Sequence, residues 1–519
     1  MRIERTKNTV KNIRAGMVLR VYQMIVPFLM RTAMIYFLGV QYLGLNGLFA
    51  SILQVLNLAE LGVGRAMVFA MYKPIAQDDE KSICALMGIY RKYYRIIGLL
   101  IGVVGILITP FVPKLITGDI PGNLNIYTLY LLNLGATVLT YWLFAYKNCL
   151  LQAHQRQDIV SWITASSYTV QCVIQLMILL VYKNYYAYVI VTLAAQVFNN
   201  LATAAVVNKR YPTYKPAGKL PAEEVKVING KIRDLFTAKL GSVVLKSSDT
   251  LVISAFLGLT VLAIYQNYYF VLSSVLAIVE IILSSMMAGL GNSYVLETKE
   301  KNFQNMEKFT FLFLWLTGVC SCCFLGMYQP FMKIWVGSEL MMDYGPVVLL
   351  VAYFFIQTLN RLLSVYKDAA GMWHEDRFRP LITAMINLML NLLWIRSWGI
   401  YGVLISTIVS MLFVGIPWML HNIFSVFFGK HLLKNYVKIL LSFGAAVVIS
   451  GAITRILCVY LVPGNDILAL AICACISVIV PNVLFYLFFS GHRLFAESVK
   501  FCDRLTKKKF KLESILIRK

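Results

Sequence analysis

The chain has 519 residues, of which 59% are hydrophobic and only 14% charged, and its mean hydropathy is +0.71. A soluble protein needs far more polar surface to cover its core, so most of this chain must face lipid or other membrane helices. The net charge of +24 does not point to nucleic acid, because the positive residues are scattered among short loops rather than gathered on one face.

A spanning helix needs about 20 largely apolar residues. In chain order such stretches fall at 17–38, 43–70, 94–112, 124–146, 159–181, 185–207, 235–257, 262–289, 309–328, 345–366, 380–396, 400–420, 436–456 and 467–489. The expected fold is therefore an all-α polytopic membrane protein with about 14 transmembrane helices. Lys and Arg concentrate in alternate loops: the outer loops hold only Lys114, Lys183, Lys333, Arg396 and Arg455. The positive-inside rule then places both termini of a multi-pass membrane protein in the cytoplasm. The first apolar run is of spanning length, contains two arginines and lacks a small-residue cleavage site, so it does not read as a secretory signal.

The longest polar interruption, 208–233, carries Pro212, Pro216, Gly218 and Pro221 and reads as a cytoplasmic connector between two halves. A shift of 219 residues lays Phe37-Leu38-Gly39 on Phe256-Leu257-Gly258, Arg20 on Lys239, and Ile163-Thr164-Ala165 on Ile382-Thr383-Ala384. One residue more lays Tyr146-Lys147-Asn148 on Tyr366-Lys367-Asp368. The expected organisation is a six-helix lobe over 1–207, the connector 208–233, a second six-helix lobe over 234–425 related to the first by a pseudo-two-fold, two further helices in 426–490, and a basic cytoplasmic tail over 491–519. Duplicated bundles of this kind work by alternating access. In the tail, Leu494, Phe495 and Val499 among many cations predict an amphipathic helix on the inner membrane surface.

Ionisable residues at bilayer depth cost about 2.5–3.5 kcal/mol to insert and usually line a cavity. In the first span Arg20, Gln23, Pro27 and Arg31 form one stripe along a helix face, and Lys239, Ser242, Lys246 and Asp249–Thr250 occupy the matching positions of the seventh. Arg65 and Arg361 add further cations. A site built from Arg20, Arg31, Arg65, Lys239, Lys246 and Arg361 suits an anionic substrate, with phosphate and diphosphate favoured. The alternative is that these charges snorkel or form fixed ion pairs. Glu60, Asp249 and Glu280 are either coupling sites for protons or sodium, or charge partners of those cations.

No catalytic residues are expected. There is no G-x-x-x-x-G-K-[ST] loop, none of the five histidines is placed beside a nucleophile, and no Cys/His spacing fits a metal site or calls for a cofactor. A membrane enzyme of polysaccharide assembly is the rival class, and the short outer loops count against it.

The segments Gly44-Leu45-Asn46-Gly47-Leu48-Phe49, Leu58-Ala59-Glu60-Leu61-Gly62-Val63-Gly64 and Tyr72-Lys73-Pro74-Ile75-Ala76 resemble the Wzx-type polysaccharide flippases of Gram-positive bacteria, a branch of the multidrug/oligosaccharidyl-lipid/polysaccharide exporter superfamily. The inner loops Tyr146 to Asp158 and Tyr366 to Arg379 resemble that family too. The resemblance implies two lobes, a cationic cavity, and the movement of undecaprenyl-diphosphate-linked oligosaccharide repeat units from the inner to the outer leaflet for capsule or exopolysaccharide biosynthesis. A polysaccharide polymerase and glycosyltransferases would be its partners, besides membrane lipid. Within the same superfamily, a peptidoglycan-precursor flippase or a drug/cation antiporter is the alternative.

Overall fold

The computed structural model describes residues 5–60, 62–118, 120, 124–461 and 465–505. Among them the regular structure is helical throughout. In chain order the helices are α1 (Arg5–Phe37), α2 (Val40–Leu56), α3 (Val63–Ala76), α4 (Glu80–Ile108), α5 (Ile126–Trp142), α6 (Asn148–Ala153), α7 (Gln157–Val181), α8 (Tyr185–Arg210) and α9 (Ala222–Leu296). They continue with α10 (Lys299–Val336), α11 (Tyr344–Ala369), α12 (Arg379–Trp398), α13 (Ile400–Ser410), α14 (Ile416–Asn422), α15 (Lys430–Tyr460), α16 (Asp466–Phe489) and α17 (Arg493–Leu505).

The protein is a multi-pass membrane protein. Eleven of these segments are individually long and apolar enough to cross a bilayer, or twelve if the bent pair Ile126–Trp142 and Ala145–Ala153 is one span. Two further spans escape a length test. The 75-residue α9 is broken at Gly258 (φ 88, ψ 174), so it is two spans end to end. The second span is cut into α2 and α3 by a 3-10 turn at Asn57–Glu60, with Gly62 at φ 94 opening α3. Counting these brings the twelve to the fourteen expected. Gly258 and Gly39 (φ 117, ψ 162) are the pair that the 219-residue shift superposes, and both adopt a conformation that only glycine enters without strain.

Several spans start at a polar cap on the water side. Asp79 accepts from Ser82 N at 3.1 Å, Asn125 from Thr128 N at 3.0 Å and Asn184 from Ala187 N at 3.1 Å. Each cap satisfies an N–H that the helix leaves open, worth about 1 kcal/mol.

Packing divides the chain into two units, residues 1–263 and 264–519. The division falls inside α9, one span beyond the polar connector. The first part of α9 is fastened within the first unit: the Ser254 hydroxyl donates to Leu115 O at 2.6 Å, and the Thr117 hydroxyl donates to Ala255 O at 2.5 Å. The connector shortens to the stretch between Arg210 and Ala222, and it is docked. Ala217 N donates to Cys84 O at 3.2 Å, while Tyr211 and Tyr214 pack on the His154 ring at 4.5 and 5.9 Å.

In the second unit α15 and α16 pack on α10, around a core that includes Phe311, Phe443, Phe485 and Phe489. The amphipathic tail helix forms as α17, but its apolar face meets protein and not lipid. Leu494 and Phe495 are 2% and 4% exposed, and Phe501 lies edge-on to Phe309 of α10 at 5.3 Å. The expected surface helix thus becomes a packed one, and its part beyond Leu505 lies outside the described residues.

The two loops that match across the halves both bury a lysine. Lys147 Nζ donates to Asn208 Oδ1 at 2.5 Å. Lys367 Nζ lies 2.7 Å from Asp368 and 3.1 Å from Asp376, and Asp376 also takes two bonds from Arg379, at 2.5 and 2.9 Å. Asp376→Ala leaves two buried cations without their shared carboxylate, a loss of about 3–5 kcal/mol. It should sharply reduce the monodisperse protein recovered from membranes; unchanged recovery would mean that Lys367 and Arg379 do not depend on it.

The docked connector predicts a pH dependence. Burial holds the His154 imidazole below its ordinary value of 6.5, so the folded form binds its proton less readily than the unfolded chain. Its contribution to stability is therefore complete above pH 6.5 and is lost as pH falls through that value. The unfolding midpoint should drop between pH 7.5 and 5 by more in the wild type than in His154→Phe, and equal drops would refute the assignment.

Candidate functional site

The interruption of the second span positions the first cluster. The 3-10 turn at Asn57–Glu60 ends α2 at membrane depth and aims Glu60 at the tyrosines of α4. Tyr94 donates its hydroxyl proton to Glu60 Oε1 at 2.7 Å, and Tyr90, one turn earlier, donates to Tyr94 at 2.7 Å. Tyr141 of α5 reaches the same turn, donating to Asn57 Oδ1 at 3.1 Å. Gly64 is needed where α3 passes them: a Cβ there would stand 3.0 Å from the Tyr90 hydroxyl.

This cluster walls a pocket of about 250 Å³ that Arg65, Gln152 and Lys239 also line. Lys239 lies within electrostatic reach of both Arg65 and Glu60. Three of the residues singled out from sequence, Glu60, Arg65 and Lys239, thus meet in one place. Two cations and one carboxylate leave a net positive pocket.

The other candidates lie elsewhere. Arg20 is exposed on α1. Arg31, three turns further along the same face, is half-buried within electrostatic reach of Tyr168 and Tyr188. Between them, Gln23 and Pro27 line a second pocket of about 600 Å³, completed by residues of α5, α7 and α8. Asp249 is buried on α9. The side chain of Lys246 lies outside the described residues. In the second unit Arg361 forms an ion pair with Glu280 at 3.5 Å, both side chains being partly exposed. Of the two roles open to Glu280, charge partner is the one the geometry displays.

Tyr90, Tyr94 and Tyr141 were not singled out from sequence. Their only signal is the i, i+4 spacing of Tyr90 and Tyr94, which an aromatic core stripe shows equally.

The fold is shared with solved membrane transporters. The chain is similar to the lipid II flippase MurJ in its inward closed conformation, with a TM-score of 0.65 and 14% identity over 92% of this chain and 99% of that one. It is also similar to an inward-facing multidrug-resistance MATE transporter of the MOP superfamily (TM-score 0.60, 14% identity, 81% of this chain and 99% of that one). The eukaryotic MATE transporter AtDTX14 matches at TM-score 0.56 and 13% identity over 84% of this chain and 99% of that one. No family model matches the chain, and neither does any curated protein sequence.

The hydrogen-bond chain gives a direct check. Tyr94→Phe strips Glu60 of its donor and Tyr90 of its acceptor, which should cost about 1–3 kcal/mol and lower the thermal unfolding midpoint of the purified protein. No change would mean that the hydroxyl chain contributes nothing to holding Glu60.

Proposed function

We propose that the chain is a flippase for lipid-linked oligosaccharides, moving undecaprenyl-diphosphate-linked polysaccharide repeat units from the inner to the outer leaflet of a bacterial cell membrane by alternating access. The observation that carries the reading is the net positive pocket of Arg65, Lys239 and Glu60 in a fold shared with a lipid flippase. A sugar–diphosphate head is large, polar and anionic, so crossing hydrocarbon unaided is prohibitive. Fixed cations that receive the diphosphate lower that barrier, and guanidinium groups suit it best because they bind phosphate bidentately. Arg20, Arg31, Lys246 and Arg361 are the remaining cations proposed to serve the head as it passes. Glu60 is the carboxylate best placed to couple the cycle to protons, since Glu280 is engaged with Arg361.

A second reading has support of its own. The MurJ structure leaves less than a tenth of this chain unmatched, whereas the inward-facing MATE structure leaves about a fifth. A peptidoglycan-precursor lipid therefore ranks ahead of small drugs as the alternative cargo. Both lipid readings share the diphosphate.

In a strain lacking the gene but with active glycosyltransferases, lipid-linked repeat units should accumulate on the inner leaflet and surface polysaccharide should be lost. Normal polysaccharide without a second copy of the gene would overturn the proposal, and loss of viability in place of loss of polysaccharide would favour the precursor lipid. Arg31→Ala or Lys246→Ala should cut transport about tenfold or more while leaving membrane abundance unchanged. Equal loss of abundance would make these charges structural.

A further inference from the structure

The pocket beside α1 has a chemistry unlike that of the cationic one. Five amides converge on it from three helices: Gln23, Gln171, Gln196, Asn199 and Asn200. Ser167 and Tyr168 line it as well, and among the described residues no charged side chain does. Its volume of about 600 Å³ is that of an ordinary small-molecule site.

Polar residues inside a membrane bundle commonly hold helices together by bonding to one another. Some of these do: Asn200 Nδ2 donates to Thr140 O at 2.8 Å, and Gln171 Nε2 donates to Gln175 at 3.3 Å. Gln23 and Gln196 differ: both are exposed residues lining the cavity, so their amides are open to a hydrogen-bonding ligand.

The lining says which ligand. Amides and hydroxyls both donate and accept, which matches the mixed donors and acceptors of sugar hydroxyls. The absence of a lining carboxylate disfavours an organic cation, and the absence of a lining Lys or Arg disfavours a bare phosphate. Along α1, Arg31 stands about 12 Å beyond Gln23, so a diphosphate held by Arg31 and a sugar held here can belong to one molecule.

We infer that this pocket of the first unit is a binding site for a neutral sugar of the lipid-linked cargo, with Gln23, Gln171 and Gln196 as its hydrogen-bonding wall. The inference rests on the flippase reading above and adds to it a sugar subsite separate from the cations.

The test is native mass spectrometry of the purified full chain with undecaprenyl diphosphate, with the same lipid carrying neutral hexose and N-acetylhexosamine disaccharides, and with those disaccharides free. The wild type should hold at least one sugar-bearing lipid more tightly than the bare one. Gln23→Leu and Gln171→Leu should each weaken that species about two- to tenfold and leave the bare lipid unchanged. Equal binding of the bare and all sugar-bearing lipids by the wild type, or equal loss of both in the variants, overturns the sugar subsite and leaves the flippase reading standing. Free disaccharides bound as tightly as the lipid-linked ones also overturn it, in favour of a soluble sugar. A wild type that binds neither lipid overturns the flippase reading, and the subsite with it.

Discussion

A charge carried into hydrocarbon must find a partner or a cavity, and this chain answers that constraint in different ways along its length. Where the two matched loops turn back into the bundle, buried Lys147 and Lys367 are tied down by Asn208 and by Asp368 with Asp376. In the second unit Arg361 keeps a single carboxylate at 3.5 Å. In the first unit Glu60 is shared with a tyrosine chain, and Arg65 and Lys239 are left facing a cavity with excess positive charge. The first arrangements dispose of charge; the last one displays it.

The correspondence between the halves is one of backbone more than of side chains. Gly39 and Gly258 break the helix in the same way at the same place. The matched loops keep a buried lysine in both halves, yet the carboxylate–arginine pair beside it is rebuilt: Arg156 precedes Asp158 in one and Asp376 precedes Arg379 in the other. Geometry that only glycine can adopt is hard to replace one residue at a time, whereas an ion pair works in either order.

Most of the span positions were legible because apolar run length and loop charge are summed over many residues. What escaped was local or long-range. The cut in the second span had a visible signal in Gly62 and Gly64, but nothing told that Glu60 would turn toward Tyr94. Glu60, Arg65 and Lys239 were each recognisable as misplaced charges, while their meeting depended on how the first part of α9 packs. Gln171 of α7 and Gln196 and Asn199 of α8 read along the sequence as helix glue; only folding puts them on one wall. The tail's amphipathicity was correctly seen and its partner was not, because an apolar stripe does not say whether lipid or protein covers it.

A ligand that binds the amide pocket of the folded chain is linked to folding itself, stabilising the chain by an amount that grows with the logarithm of its concentration, about 2.7 kcal/mol at a hundredfold excess over the dissociation constant. The heat resistance of the purified chain then becomes a meter of its own cargo, able to rank sugars without any transport being observed.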